Sequence, residues 1–155
     1  MTLAITAKAK ELKAAGEDII GLGAGEPDFD TPEHIKEIAA KALADGFTKY
    51  TPAAGTPELR AAVVRKFERE NGLSYDPQQV IISSGGKHSC YNVMMALCQT
   101  GDEVVIPSPY WLSYPEMVKL AGAAPVIIET TDDTQFKVAP DQLRAAITDK
   151  TRLFI

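Results

Sequence analysis

Residues 80–88 read Val-Ile-Ile-Ser-Ser-Gly-Gly-Lys-His. An apolar run of strand type ends in two glycines and a lysine, and a helix-prone segment follows. The chemistry this junction offers is anion binding. Glycines let the backbone turn tightly and expose its amides. The first amides of the next helix have no intrahelical acceptors and carry the positive end of its dipole, which suits a phosphate. On these residues alone an ordinary strand-to-helix turn accounts for the pattern slightly better; other parts of the chain shift that weighting. A second cluster, Gly21-Leu22-Gly23-Ala24-Gly25-Glu26-Pro27, offers backbone rather than side chains. A tight turn explains most of it. Gly25, beside Glu26-Pro27, is the position where close approach of a small ligand would exclude a side chain.

Neither cluster fits a nucleotide fingerprint. The dinucleotide pattern needs its third glycine three residues after the second, where this chain has Glu26, and no helix starts before Thr31. The Walker pattern fails because Gly85-Gly86-Lys87 lacks the upstream glycine and is followed by His88. Metal chemistry is no better supported. His88 lies near Cys90, but no second ligand pair stands at zinc spacing. Asp28-Phe29-Asp30 lacks the glycine and distal glutamate of a calcium loop and reads as helix-entry chemistry. Cys90 and Cys98 fall on one predicted helix about 12 Å apart, beyond disulfide reach, so both read as free thiols filling the core.

The elements that must position these residues follow from local pattern. Residues 2–15 are helix-prone, with Gly16 as a C-cap. Thr31 caps the next helix with Pro32 at its first position. Ile35, Ile38, Ala39, Ala42 and Leu43 recur on one face, and Gly46 ends the segment. Thr56-Pro57 repeats the capping device, and Leu59, Val63 and Phe67 mark a buried stripe up to Asn71-Gly72. Strands at 80–83, 104–106, 126–129 and 152–155 then alternate with helices at 87–98, 114–121 and 140–148. Short Val/Ile-rich strands separated by helices predict an α/β fold with a mostly parallel sheet covered by helices.

With 155 residues, 45% of them hydrophobic and 24% charged, the chain suffices for one real core. A net charge of −5 with no basic run argues against a nucleic-acid surface. No apolar stretch reaches the roughly 18 residues that span a bilayer, and Lys8 and Lys10 come too early for a signal-peptide core. A cytoplasmic location is the default. The apolar strand Leu153-Phe154-Ile155 stops at the last residue with no helix to cover it, so the chain is expected to be the front part of a longer protein.

Several motifs occur in order: Gly25-Glu26-Pro27-Asp28-Phe29; Lys49-Tyr50-Thr51-Pro52 with Gly55 and Glu58-Leu59-Arg60; Gly85-Gly86-Lys87; Gly101-Asp102-Glu103-Val104; and Pro107-Ser108-Pro109-Tyr110-Trp111. Together they resemble the class I aminotransferases of pyridoxal-phosphate fold type I, most like the bacterial aspartate aminotransferase branch, over essentially the whole chain. The resemblance implies the N-terminal part of that fold, incomplete at its C-terminus. Residues 1–31 would form the arm and part of the small domain, and 32–155 the first part of the cofactor-binding large domain. It implies pyridoxal 5'-phosphate held by Gly85, Gly86, Lys87, Trp111 and Tyr50, with Tyr50 reaching the phosphate of the neighbouring subunit of a homodimer. Gly25, Lys87 and Trp111 would face the substrate. Gly25 would meet the α-carboxylate, Lys87 the distal carboxylate of an acidic substrate, and Trp111 would stack on the pyridine ring. Thr2 matches a substrate-side threonine. Taken singly, Trp111 and Tyr50 read as ordinary loop aromatics and Lys87 as a solvated side chain. A lysine at a helix start nevertheless opposes the dipole, which favours a role for it.

In the family, the Schiff-base lysine, the pyridinium aspartate and the carboxylate-binding arginine all match positions after Ile155. The implied activity is therefore transamination between L-aspartate, or a similar amino acid, and 2-oxoglutarate in the full-length protein, with this piece inactive alone. Two alternatives stay open: an aminotransferase for aromatic or other amino acids, and a non-catalytic module that binds phosphate-bearing ligands or a partner chain.

Overall fold

The computed structural model describes residues 2–23 and 25–155, without the side chains of residues 2 and 3. The chain divides into two compact units, Met1–Tyr50 and Thr51–Ile155. The first holds α1 (Thr2–Ala14) and α2 (Glu33–Ala44). The expected cap at Thr31 is not used. Pro32 is itself the cap residue, with ψ 139°, and its carbonyl accepts the amides of Ile35 and Lys36. That extended ψ keeps Pro32 outside the helix, so Glu33 takes the first helical position, where its charge suits the dipole. The apolar face of α2 is open: Ile35, Ile38 and Leu43 are all exposed. Helical periodicity marks an apolar face but says nothing about what covers it.

The second unit holds α3 (Pro57–Asn71), α4 (Gly86–Leu97), β1 (Glu103–Pro107), α5 (Ser113–Leu120), β2 (Ala124–Ile128), α6 (Pro140–Ala146) and β3 (Thr151–Phe154). Here the Thr56 cap is present: its hydroxyl accepts the Leu59 amide at 3.4 Å, with Pro57 at the helix start. Gly72 closes α3 in the left-handed region at φ 64°, where glycine avoids the Cβ penalty. The stripe of α3 is only partly covered. Val63 and Phe67 are half-buried and Leu59 is exposed. The Phe67 ring packs against Tyr75 with centroids 5.8 Å apart.

The sheet is parallel, in the order β2-β1-β3. β1 lies in the middle, which explains its unbroken Val104-Val105-Ile106 run: a strand covered on both faces has no polar side. All three side chains are essentially inaccessible. β3 alternates half-buried and exposed residues, as an edge strand with one open face does. Pro125 sits in β2, which among the described residues pairs with β1 alone, so its missing N–H costs no inner pairing. Val104 and Ile106 pack with Met94 and Cys98 from the α4 end, Met117 and Val118 from α5, and Ala123. This layered cluster is the core.

The strand expected at 80–83 joins no ladder among the described residues, although Val80 is extended at φ −110° and ψ 130°. The Ile82 amide instead donates to the carbonyl of Ala54 at 3.0 Å. Apolar β-type residues specify an extended backbone, whereas a strand also needs a neighbour. Gly55 is closely bound up with this contact. Its φ is +97°, and a Cβ there would stand 2.5 Å from Cγ1 of Ile82. Among the described residues no helix is long and apolar enough to cross a membrane.

Both cysteines are free thiols packed in or against the core. Burial pushes the Cys98 thiol upward and the nearby Asp102 carboxylate adds to this, with Arg152 opposing. Asp102 is buried. It accepts the Gln99 amide at 3.0 Å and faces Arg152 at 3.4 Å, which gives the Gly101-Asp102-Glu103 turn a structural purpose.

Two outcomes test this core. Ile106→Ala should lower the unfolding free energy by about 2–5 kcal/mol in a urea melt, through lost burial and a residual cavity. The raised Cys98 thiol stays protonated in the fold at pH values where the unfolded thiol, with its ordinary value near 9.0, ionises. Its contribution to stability is therefore complete below that value and is lost as pH rises through the higher folded one. Iodoacetamide at pH 9 should modify Cys98 far more slowly in the folded chain than in urea, as read by peptide mass.

Candidate functional site

The loops that follow parallel strands gather at one sheet edge, because all the strands point the same way. Pro107 at the end of β1 is level with Ile128 at the end of β2. Residues 108–112 therefore emerge at the carboxyl edge, where open α/β sheets place their ligand crevices. This loop carries Trp111, and its Ser108-Pro109 peptide bond is cis.

The start of α4 faces the same loop. Gly85 is its cap residue, with φ 85° and ψ 160°, a region open essentially to glycine alone. Its amide donates to the carbonyl of Ser83 at 2.9 Å, and its carbonyl accepts the His88 amide at 3.1 Å. Nδ1 of His88 in turn accepts the Ser84 amide at 3.2 Å, so the imidazole ties down the turn from the helix side. The first-turn amides of Gly86 and Lys87 have no acceptor within the helix. A Cβ built on Gly85 or Gly86 would meet no atom within 4 Å. The space in front of the helix start is open, so neither glycine is required by protein packing.

Lys87 leans over Trp111, with Nζ 4.9 Å from the ring centroid. At the positive end of a helix the ammonium finds no favourable backbone charge, and the indole face supplies a compensating one worth about 0.5–1 kcal/mol. Tyr114 meets the same indole edge-on, with centroids 5.3 Å apart and planes at 89°. Trp111 remains about two-fifths exposed, which leaves ring surface for a further flat partner.

The structure thus brings Gly85, Gly86, Lys87 and Trp111 together. Gly25 and Tyr50 belong to the other unit. The Tyr50 ring is fully exposed, and a Cβ at Gly25 would meet nothing within 4 Å. The side chain of Thr2, matched to a substrate-side threonine, lies outside the described residues, as does Ala24. Sequence reading missed Tyr114 and the polar contacts around Ser108. No local signal marks them, since each depends on a partner brought in by the fold. Among the described residues, no group of three or more His, Cys, Asp or Glu side chains is arranged to hold a metal ion.

A parallel α/β sheet with a glycine-rich helix start and an aromatic side chain at its carboxyl edge offers anion-binding amides beside a flat apolar surface. The family model for class I and II aminotransferases matches residues 17–155, and the chain belongs to that family. The chain is 56% identical to an aspartate aminotransferase from Geobacillus stearothermophilus and 55% identical to an aspartate/prephenate aminotransferase from Nitrosomonas europaea. Each match covers 99% of this chain and 39% of the relative. The solved aspartate aminotransferase from Thermus thermophilus with maleate superposes with a TM-score of 0.93 at 52% identity, over 99% of this chain and 40% of that one. The chain therefore spans about two-fifths of the length of these relatives.

The two glycines should respond differently to a methyl group. Gly85→Ala forces a side chain into a left-handed extended conformation and should cost about 1–3 kcal/mol in a urea melt. Gly86→Ala lies within the helix and should be neutral or stabilise by about 0.4–1 kcal/mol. Its methyl would nonetheless enter the open space, so inorganic phosphate binding followed by calorimetry should weaken in both.

Proposed function

We propose that this chain is the cofactor-phosphate half of an aminotransferase that moves the amino group of L-aspartate, or a similar amino acid, to 2-oxoglutarate, giving the corresponding oxo acid and L-glutamate. The observation that carries the reading is the open helix start at Gly85 and Gly86, facing Lys87 and Trp111. The residues present fit pyridoxal 5'-phosphate. Unpartnered helix-start amides suit its phosphate, and an indole with free ring surface suits its flat pyridine. When bound, this group supplies a carbonyl carbon that takes up the amino group and a ring that accepts electron density from the substrate's Cα.

This chain's own residues would bind and orient. The amides of Gly86 and Lys87 would hold the phosphate, with Gly85 shaping the turn. Trp111 would cover one face of the ring and exclude water from it. The Lys87 ammonium, freed from the indole by a small side-chain rotation, would pair with the distal carboxylate of a dicarboxylic substrate. Gly25 would offer its backbone to the α-carboxylate, and Tyr50 would reach the phosphate of a second subunit in a homodimer. We assign no lysine of this chain to carry the cofactor, because Lys87 belongs to the phosphate turn. Residues 1–31 would serve as arm and small-domain segment and 32–155 as the first part of the large domain, in a cytoplasmic enzyme. The name aspartate/prephenate aminotransferase among the relatives supports a second acceptor, a larger oxo acid of the prephenate type.

In the whole protein, Lys87→Ala should raise KM for aspartate and glutamate roughly 10-fold or more while leaving apolar amino donors nearly unaffected, since a charged hydrogen bond is worth about 1.5–3 kcal/mol. Equal losses for acidic and apolar donors would remove Lys87 from substrate recognition. The 155-residue chain alone should not form oxaloacetate from aspartate and 2-oxoglutarate, and turnover by the purified chain would refute that part of the reading.

A further inference from the structure

The loop that carries Trp111 is tied to the end of β2 through Ser108. Ser108 follows β1, and three of its polar groups are engaged by the end of β2. Its amide donates to the carbonyl of Ile128 at 2.8 Å. Its hydroxyl donates to Oε2 of Glu129 at 2.7 Å. Its carbonyl accepts the hydroxyl of Thr130. Thr130 is buried, while Glu129 is exposed. Glu129 is anchored in turn from α6, because Nε2 of Gln142 donates to its carbonyl at 3.1 Å. Only the amide bond continues the sheet. The other two come from side chains and could be absent without breaking the ladder. They grip Ser108 from opposite ends of the residue, three positions before Trp111 and just ahead of the turn that sends the indole toward α4.

We propose that Glu129 and Thr130 are positioning residues that clamp Ser108 and so hold Trp111 against Lys87 at the start of α4. The physical ground is the contrast in anchoring. Trp111 is about two-fifths exposed, and its ring partners are a flexible lysine and the edge of Tyr114. Contacts of this strength, about 0.5–1.5 kcal/mol each, do not fix a loop by themselves. A short loop bonded at its root has far fewer conformations to lose when a flat ligand settles on the indole. That this ligand is the pyridoxal ring rests on the function proposed above; the clamp itself does not.

Trp111 is the single tryptophan of the chain, so its fluorescence reports the loop without any cofactor. Glu129→Ala and Thr130→Val should lower its anisotropy and raise its quenching by acrylamide, with the far-UV circular dichroism unchanged. Glu129→Gln keeps an acceptor oxygen and Thr130→Ser keeps the hydroxyl, so both should behave as wild type. Asp141→Asn, which loosens only a surface pair with Arg144, is the control. If Thr130→Val does not fold, Thr130→Ala removes the same hydroxyl from the Ser108 carbonyl and is read the same way, while Ser108→Ala removes the Glu129 arm from its other side. In a parallel titration with pyridoxal phosphate, the disruptive pair should bind roughly five- to ten-fold more weakly. Unchanged anisotropy and quenching in folded Glu129→Ala and in the folded Thr130 variant would overturn the proposal, as would conservative variants that behave like the disruptive ones. Should the disruptive variants weaken pyridoxal phosphate binding no more than Asp141→Asn does while Trp111 still follows the expected pattern, the clamp stands and the reading of Trp111 as the cofactor's wall falls.

Discussion

The second unit depends on the burial of β1 between two other strands and beneath two helices. A strand flanked on both sides must satisfy its backbone in parallel ladders and its side chains in apolar contact, and Val104-Val105-Ile106 does both. That strand sets the direction of the sheet, and the direction decides which loops share an edge. With Pro107 level with Ile128, the Ser108–Trp111 region and the Glu129-Thr130 pair have to meet. The chemistry at the edge is thus a consequence of a purely apolar requirement at the centre.

The helix start at Gly85 adds the second constraint. Its backbone conformation is one that side chains resist, and among the described residues a Cβ there would meet no atom within 4 Å. Gly55 makes the contrast plain: there the glycine is demanded by Ile82, 2.5 Å from where a Cβ would stand. One glycine is required by packing. The other is required by backbone shape and leaves room for something else. Lys87 reinforces that difference, since a cation beside a helix N-terminus is held by an aromatic face rather than by backbone charge.

Polar residues in the unit divide in a similar way. Asp102 and Arg152 tie the turn before β1 to β3 and shape the surroundings of Cys98, which is structural work. Ser108, Glu129 and Thr130 lie at the opposite end of the same strands. Their bonds join the root of the loop that bears Trp111 to the chain leaving β2. Exposed ion pairs elsewhere, such as Lys8 with Glu11 and Arg144 with Asp141, are local helix pairs of small worth.

Much of this was legible in the residues themselves. Short Val/Ile runs between helical segments specify a parallel α/β sheet, because each pattern has its own period and a parallel strand needs a crossover. The Gly-Gly-Lys helix start could be read as an anion site from backbone geometry alone, and the order of motifs carried the family. Thr56 and Gly72 behave as their local chemistry dictates. Pairing and coverage were beyond that reach. Residues 80–83 have strand composition yet join no ladder among the described residues, and α2 shows an apolar face that stays open. Thr31 has the right type for a cap, but Pro32 takes its place. The approach of Lys87 to Trp111, and of Glu129 and Thr130 to Ser108, spans some 20 residues of sequence in each case. Local patterns register the conformational preference of a residue and its neighbours. Only the tertiary structure decides which distant groups share an edge, because that depends on strand order and register, which no local preference encodes.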